Sequence, residues 1–415
     1  MIFEYKWPHA NPNMKLIKSL ENKITIHNKN TLDKVFYEYA CNFKKSARIV
    51  VDKLVNNQNI SELDSYFFSV AFLYRHSLEL LLKAIGFKSI QNAEEGKLFI
   101  KDTFHNLSGL FESIIPFINC IDLDRVEWLR EYFNSINSMD KESDSFRYPF
   151  NIKFKKDEGN PKTYFIEPFF AKQTHIDLVS FVNKIEAAFS ILNSFYKESA
   201  TYDELYKDYS PTFLDEGGNY RLQSVIGYNY QRQRFYPLIR AYTECAQLLF
   251  LEYKNNKYLG YTIFFPMTYL FRNGLELSMK EILFEECNLD FQTSAKLLKD
   301  CSHNVNKLWK NIKPEIIKHS LQSEDNHTLD YVEKYICQVH DFDGASDKFR
   351  YPINKYLNFY FNKKTNFDIE NIYEFFTEVN NFFGGASSMM SSQNELLADM
   401  EAEYRAEMQS YYDYY

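Results

Sequence analysis

The sequence predicts an all-α protein built as two tandem helical bundles in a pseudo-two-fold arrangement, each with a small β-hairpin after an Arg-Tyr-Pro motif. Three observations predict it. Gly (12) and Pro (11) are scarce among 415 residues, which argues against the many tight turns of an all-β chain. Long segments carry apolar residues at helical spacing. Three landmarks also recur in the same order at a separation near two hundred, the mark of an internal repeat. Arg75, Glu79 and Lys83 in "FLYRHSLELLLK" return as Arg272, Glu276 and Lys280 in "YLFRNGLELSMK". "HNLSGL" from His105 returns as "HNVNKL" from His303. "DSFRYP", ending at Pro149, returns as "DKFRYP", ending at Pro352.

The elements follow in order. Thr31 is placed to cap a first helix, in which Val35, Phe36, Tyr39, Phe43, Val50 and Leu54 keep helical spacing. A second helix spans about Asp64 to Ile85, with Gly86 as its stop. A loop leads to a helix from about His105 and another from about Leu123 to Ile136. "FRYPFNIKFKKDEGNPKTYFIEPF" reads as the hairpin, turning at Glu158-Gly159-Asn160-Pro161. A helix from about His175 to Tyr196 closes the first unit. In the second unit Pro237 starts the first long helix, and Pro266 should begin or kink the motif helix.

The expected organisation is an N-terminal extension (1–29), a first bundle (30–198), a polar linker (199–227), a second bundle (228–384) and a tail (385–415). In the tail "GGASSMMSSQ" reads as flexible. An acidic helix follows, with Leu396, Met400, Tyr404 and Met408 in one stripe. That stripe either packs back on its own bundle or docks a partner.

Composition narrows the function classes. Hydrophobic residues make up 45% and aromatics 18%, enough for extensive cores, and the net charge is −8. A globally basic nucleic-acid footprint is not indicated, although a local basic cleft is possible. The six cysteines form no C-x-x-C pair, so buried free thiols are the default and no metal or cofactor is expected. The chain has no uncharged run long enough to cross a membrane and no signal-like start, so a cytoplasmic protein is expected.

Arg75, Glu79 and Lys83 fall on one face of a helix that is otherwise almost wholly apolar. The same holds for Arg272, Glu276 and Lys280. Either these charges form a buried network that sets bundle register, with Glu79 and Glu276 clamped between cations, or the cations line a cleft for an anion such as RNA. In the second case Arg147 and Arg350, stiffened by the Tyr-Pro that follows, add charge. Asp144 and Asp347, three residues before those arginines, are their natural ion-pair partners. His105 and His303, at helix starts, are the candidate catalytic residues, acting as neutral bases. No nucleophile elbow, phosphate loop or H-E-x-x-H motif accompanies them.

"RHSLELLLKAIG" and "RNGLELSMKEIL", each followed by H-N-[LV] and then F-R-Y-P, resemble HEPN-domain proteins, small helical bundles common in prokaryotic defence, toxin–antitoxin and RNA-processing systems. The resemblance covers about 30–198 and 228–384 and is nearest to a subgroup of bacterial proteins without assigned function. It implies that two units in one chain can replace the family's homodimer. Catalytic members carry an Arg followed by a His after four to six intervening residues. None of the twelve arginines here is followed by a His at that spacing. The resemblance therefore implies a non-catalytic interaction protein that binds RNA or a partner protein. A ribonuclease with a non-standard site, and a scaffold of a larger complex, stay open.

Overall fold

The computed structural model describes residues 6–90, 92–118, 122–156, 162–199, 204–227, 234–320 and 327–412. The described residues are mostly helical. A short strand β1 (Lys23–Ile26) leads into α1 (Leu32–Asn57), which buries Val35, Phe36, Tyr39, Phe43, Val50 and Leu54 as their spacing predicts. Thr31 stands at the cap position, but its side chain makes no capping bond. The next helix, α2 (Ile60–Ser89), starts before the expected Asp64, because Asn59 caps it, accepting from the amides of Ser61 and Glu62. Gly86 does not end it. A Cβ there would lie 2.4 Å from the Phe99 ring, so the glycine permits close helix packing within a helix that continues.

Phe99 belongs to α3 (Ala93–Thr103), which occupies the expected loop. The following helix, α4 (Leu107–Ile114), is capped by Asn106, whose side-chain Oδ1 accepts from the Gly109 amide. His105 therefore precedes the cap and does not open the helix. After α5 (Leu123–Asp140) come β2 (Phe150–Lys155) and β3 (Thr163–Pro168), the expected antiparallel hairpin. Its predicted turn at 158–161 lies outside the described residues. Another strand, β4 (Thr174–Asp177), occupies the predicted start of the next helix. That helix, α6 (Leu178–Lys197), is capped by Asp177.

In the second half β5 (Gln223–Ile226) precedes α7 (Tyr236–Asn255), with Pro237 in its first turn as predicted. The motif helix α8 (Gly260–Glu281) passes through Pro266 unbroken and continues as a π-helical turn, Ile282–Glu286. The wholly buried segment from Ile263 to Lys280 outweighs the local penalty of the proline. Then come α9 (Phe291–Cys301), α10 (Val305–His319) and α11 (Thr328–Asp343). The hairpin expected after the second Arg-Tyr-Pro is not formed. A single bridge, Ile353 to Phe359, stands in its place. The apolar alternation of β2, "FNIKFK", is missing from "INKYLNFYF".

A last strand, β6 (Thr365–Asp368), leads into α12 (Ile369–Tyr412), one helix of 44 residues. The segment expected to be flexible after Gly384 is helical. Its Ala, Ser and Met residues tolerate helix, and Met390 is fully buried.

The short strands pair across the halves. β1, before the first long helix, pairs antiparallel with β6, before the last; β5 pairs with β4. The segments that lead into β1 and β5 follow the same rule. Backbone amides of Lys18 and Ser19 donate to the Asp368 carboxylate at 2.9 Å, and Met14 is buried. Phe213 and Tyr206, from the predicted linker, are buried in the first half, and Asp177 N–H donates to the Asp215 carbonyl at 3.0 Å. Extension and linker are thus parts of the fold, each tied to the last helix of the other half. The core is continuous across the halves, with α1 and α2 packed against α8 and α7.

Candidate functional site

Two ionic clusters sit in this core. In the first, α2 carries Arg75, Glu79 and Lys83 on one face, all buried. Glu79 Oε1 accepts from Lys83 Nζ at 2.7 Å and lies 3.0 Å from His105 Nδ1. Its other oxygen takes the Arg75 guanidinium, which also reaches the His105 carbonyl and lies 3.3 Å from Asp140 at the end of α5. The last donor comes from the other half of the chain. Tyr351, of the second Arg-Tyr-Pro, donates its hydroxyl to Glu79 Oε1 at 2.7 Å and stands 3.1 Å from His105 Nδ1. Lys83 lies over the Tyr351 ring, 4.7 Å from its centre.

The second cluster repeats the first with the halves exchanged. Glu276 Oε1 meets Lys280 at 2.7 Å, His303 Nδ1 at 3.0 Å and the Tyr148 hydroxyl at 3.0 Å. Arg272 bonds the other carboxylate oxygen at 3.0 Å and the His303 carbonyl at 2.8 Å. Lys280 lies 4.3 Å from the centre of the Tyr148 ring.

Burial alone would raise each carboxyl. The neighbouring groups outweigh it: Lys83, His105 and Arg75 hold Glu79 well below the usual carboxylate range, and Lys280, His303 and Arg272 do the same for Glu276. Burial pushes both tyrosine hydroxyls up, with the facing carboxylate adding to it, so they stay neutral donors.

Arg147 and Arg350 are also buried. Arg147 donates to the Tyr148 hydroxyl at 2.9 Å and to Asp144 at 3.3 Å; Arg350 pairs with Asp347 at 2.9 Å. These are the ion pairs their spacing predicts. The two guanidiniums flank Tyr269, 5.9 and 5.5 Å from its ring centre. His76 is sealed beside them, stacked on Phe72, with Nε2 3.1 Å from the Arg350 carbonyl. Burial lowers its pKa well below the ordinary value.

Arg75, Lys83, Arg272 and Lys280 thus belong to the two clusters, Arg147 joins the second through the Tyr148 hydroxyl, and Arg350 lies over the Tyr351 ring; all six are buried and do not line one shared cleft. Residue spacing pointed to the strips, the histidines and the aspartates. It did not single out Tyr148 and Tyr351 as donors into the opposite cluster. The available signal was the exact recurrence of Arg-Tyr-Pro amid diverged neighbours.

One side of each cluster reaches solvent through its histidine. The side chains of His105 and His303 are 27% and 33% exposed. His303 also lines a cavity of about 220 Å³ with Asp144, Tyr148, Lys280 and Lys299. A larger cavity, about 450 Å³, lies at the seam between α2, β5 and α7, lined by Phe68, Phe150, Phe170 and Arg240. Among the described residues, no group of three His, Cys, Asp or Glu could hold a metal ion, and no helix is long and apolar enough to cross a membrane. No family model matches the chain, and neither curated proteins nor solved structures match it.

Proposed function

We propose that the chain is a HEPN-like, non-catalytic interaction protein, a duplicated bundle whose halves stand in for the family's homodimer and whose partner is another protein. The observation that carries the reading is the reciprocal placement of Tyr148 and Tyr351. Each half supplies the donor that completes the other's buried Glu–His–Lys–Arg network, as subunits of an isologous dimer would. The burial of Arg75, Lys83, Arg147, Arg272, Lys280 and Arg350 supports a protein partner over RNA, because phosphate contacts need accessible cations. A role in a bacterial defence or toxin–antitoxin system rests on the sequence resemblance. The test is incubation of purified chain with labelled single-stranded and duplex RNA at low salt. The expected result is intact, unretarded RNA.

One observation favours a second reading, a ribonuclease with a non-standard site. The His303 ring is oriented by Glu276 through Nδ1 and lines an open cavity, the arrangement of a general base. RNA cleavage that disappears in His105→Ala/His303→Ala would replace the first reading with this one.

A further inference from the structure

The last part of α12 leaves the body of the protein. Gln393 and Asn394 tie it to the body: the Gln393 amide donates to the His319 carbonyl at 2.8 Å and the Asn394 amide to the Glu286 carbonyl at 3.0 Å. From 395 to 409 every residue is exposed. The helix nonetheless continues to Tyr412, so residues 395–412 extend about 27 Å at 1.5 Å per residue. At 100° per residue, Leu396, Met400, Tyr404, Leu397 and Met408 fall within an arc of about 120°. They are 37–63% exposed. An apolar stripe of this width is normally buried against something.

The charges around the stripe decide what covers it. Residues 395–412 contain five acids, Glu395, Asp399, Glu401, Glu403 and Glu407, and one base, Arg405, which is paired with Glu401 at 2.9 Å. A second copy of this helix would set acid against acid with no base left to answer it. An anionic membrane surface or a nucleic acid would repel it in the same way.

We propose that residues 395–412 are a docking helix whose occupant is a protein surface with an apolar groove rimmed by Lys and Arg. The inference rests on the reading of the chain as an interaction protein and names the surface and the charge of its partner. Apolar burial supplies the affinity, and the acidic flanks set partner choice and association rate.

The test uses the full chain and synthetic amphipathic helices as probes: one of Leu and Lys, one of Leu and Glu, and one of Lys and Ser without an apolar face. The Leu/Lys peptide alone should bind, and about tenfold more weakly when salt rises from about 50 to about 300 mM. Leu396→Gln/Met400→Gln/Tyr404→Gln changes exposed positions to a good helix former, so helicity by circular dichroism should persist while peptide binding falls at least about tenfold. Glu395→Gln/Asp399→Asn/Glu403→Gln should flatten the salt dependence. Equal binding of the Leu/Lys peptide to the stripe variant overturns the proposal. So does a wild-type dimer in sedimentation that the stripe variant loses, because the occupant is then a second copy. The peptide result does not involve His105 or His303. Discovery of RNA cleavage would remove the interaction reading while leaving the helix result standing on its own measurement.

Discussion

Glu79 and Glu276 are themselves fully buried, and each meets four partners. A buried carboxylate in this position holds its cations in place, and its loss leaves them without a counter-charge. Glu79→Gln or Glu276→Gln should cost about 3–5 kcal/mol in urea unfolding. Tyr351→Phe and Tyr148→Phe remove one bond to a buried charge and should cost about 1.5–3 kcal/mol each. The pH dependence follows from the sign of the shift. Both carboxyls are held well below their ordinary value near 4.5, so their contribution is complete above that pH and is lost as acid is added. Thermal melts of wild type and Glu79→Gln should converge as pH falls below about 4.

At the scale of elements, the last residue of α8, just before the π-helical turn, carries a carboxyl with the opposite behaviour. Burial, aided by Glu285 and Glu286 and opposed by a bond from Ser387 on α12, pushes Glu281 up to about 7. The folded chain keeps that proton where the unfolded chain has released it. Stability should therefore fall as pH rises from about 4.5 to about 7, by about 3 kcal/mol in all. Glu281→Gln should remove that fall in melts followed across the range. The long helices and the charged strips were legible because their apolar periodicity is strong. The starts of α2, α4 and α6 were misplaced because Asn59, Asn106 and Asp177 cap them through side-chain bonds that compete with nearby alternatives. The four-residue strands β1, β4, β5 and β6 were invisible, since pairing between segments some 50 to 340 residues apart leaves no local pattern. The flexible reading of "GGASSMMSSQ" failed because burial of Ala386 and Met390 overrides a weak propensity.

For the whole molecule, the crossed strands and crossed tyrosines make each half a condition for the other. A chain supplied as two pieces, 1–199 and 200–415, should co-elute as one folded species in size exclusion when the pieces are co-expressed. Either piece alone should aggregate, because each would expose the face of α1–α2 or α7–α8 that the other covers. Two separate species with native helicity would count against mutual dependence. The β1–β6 pairing also bears on synthesis. Residues 23–26 leave the ribosome well over three hundred residues before their mate, 365–368. For that whole interval β1 has no native neighbour along its edge, so the growing chain must be kept from capturing a substitute until β6 has emerged.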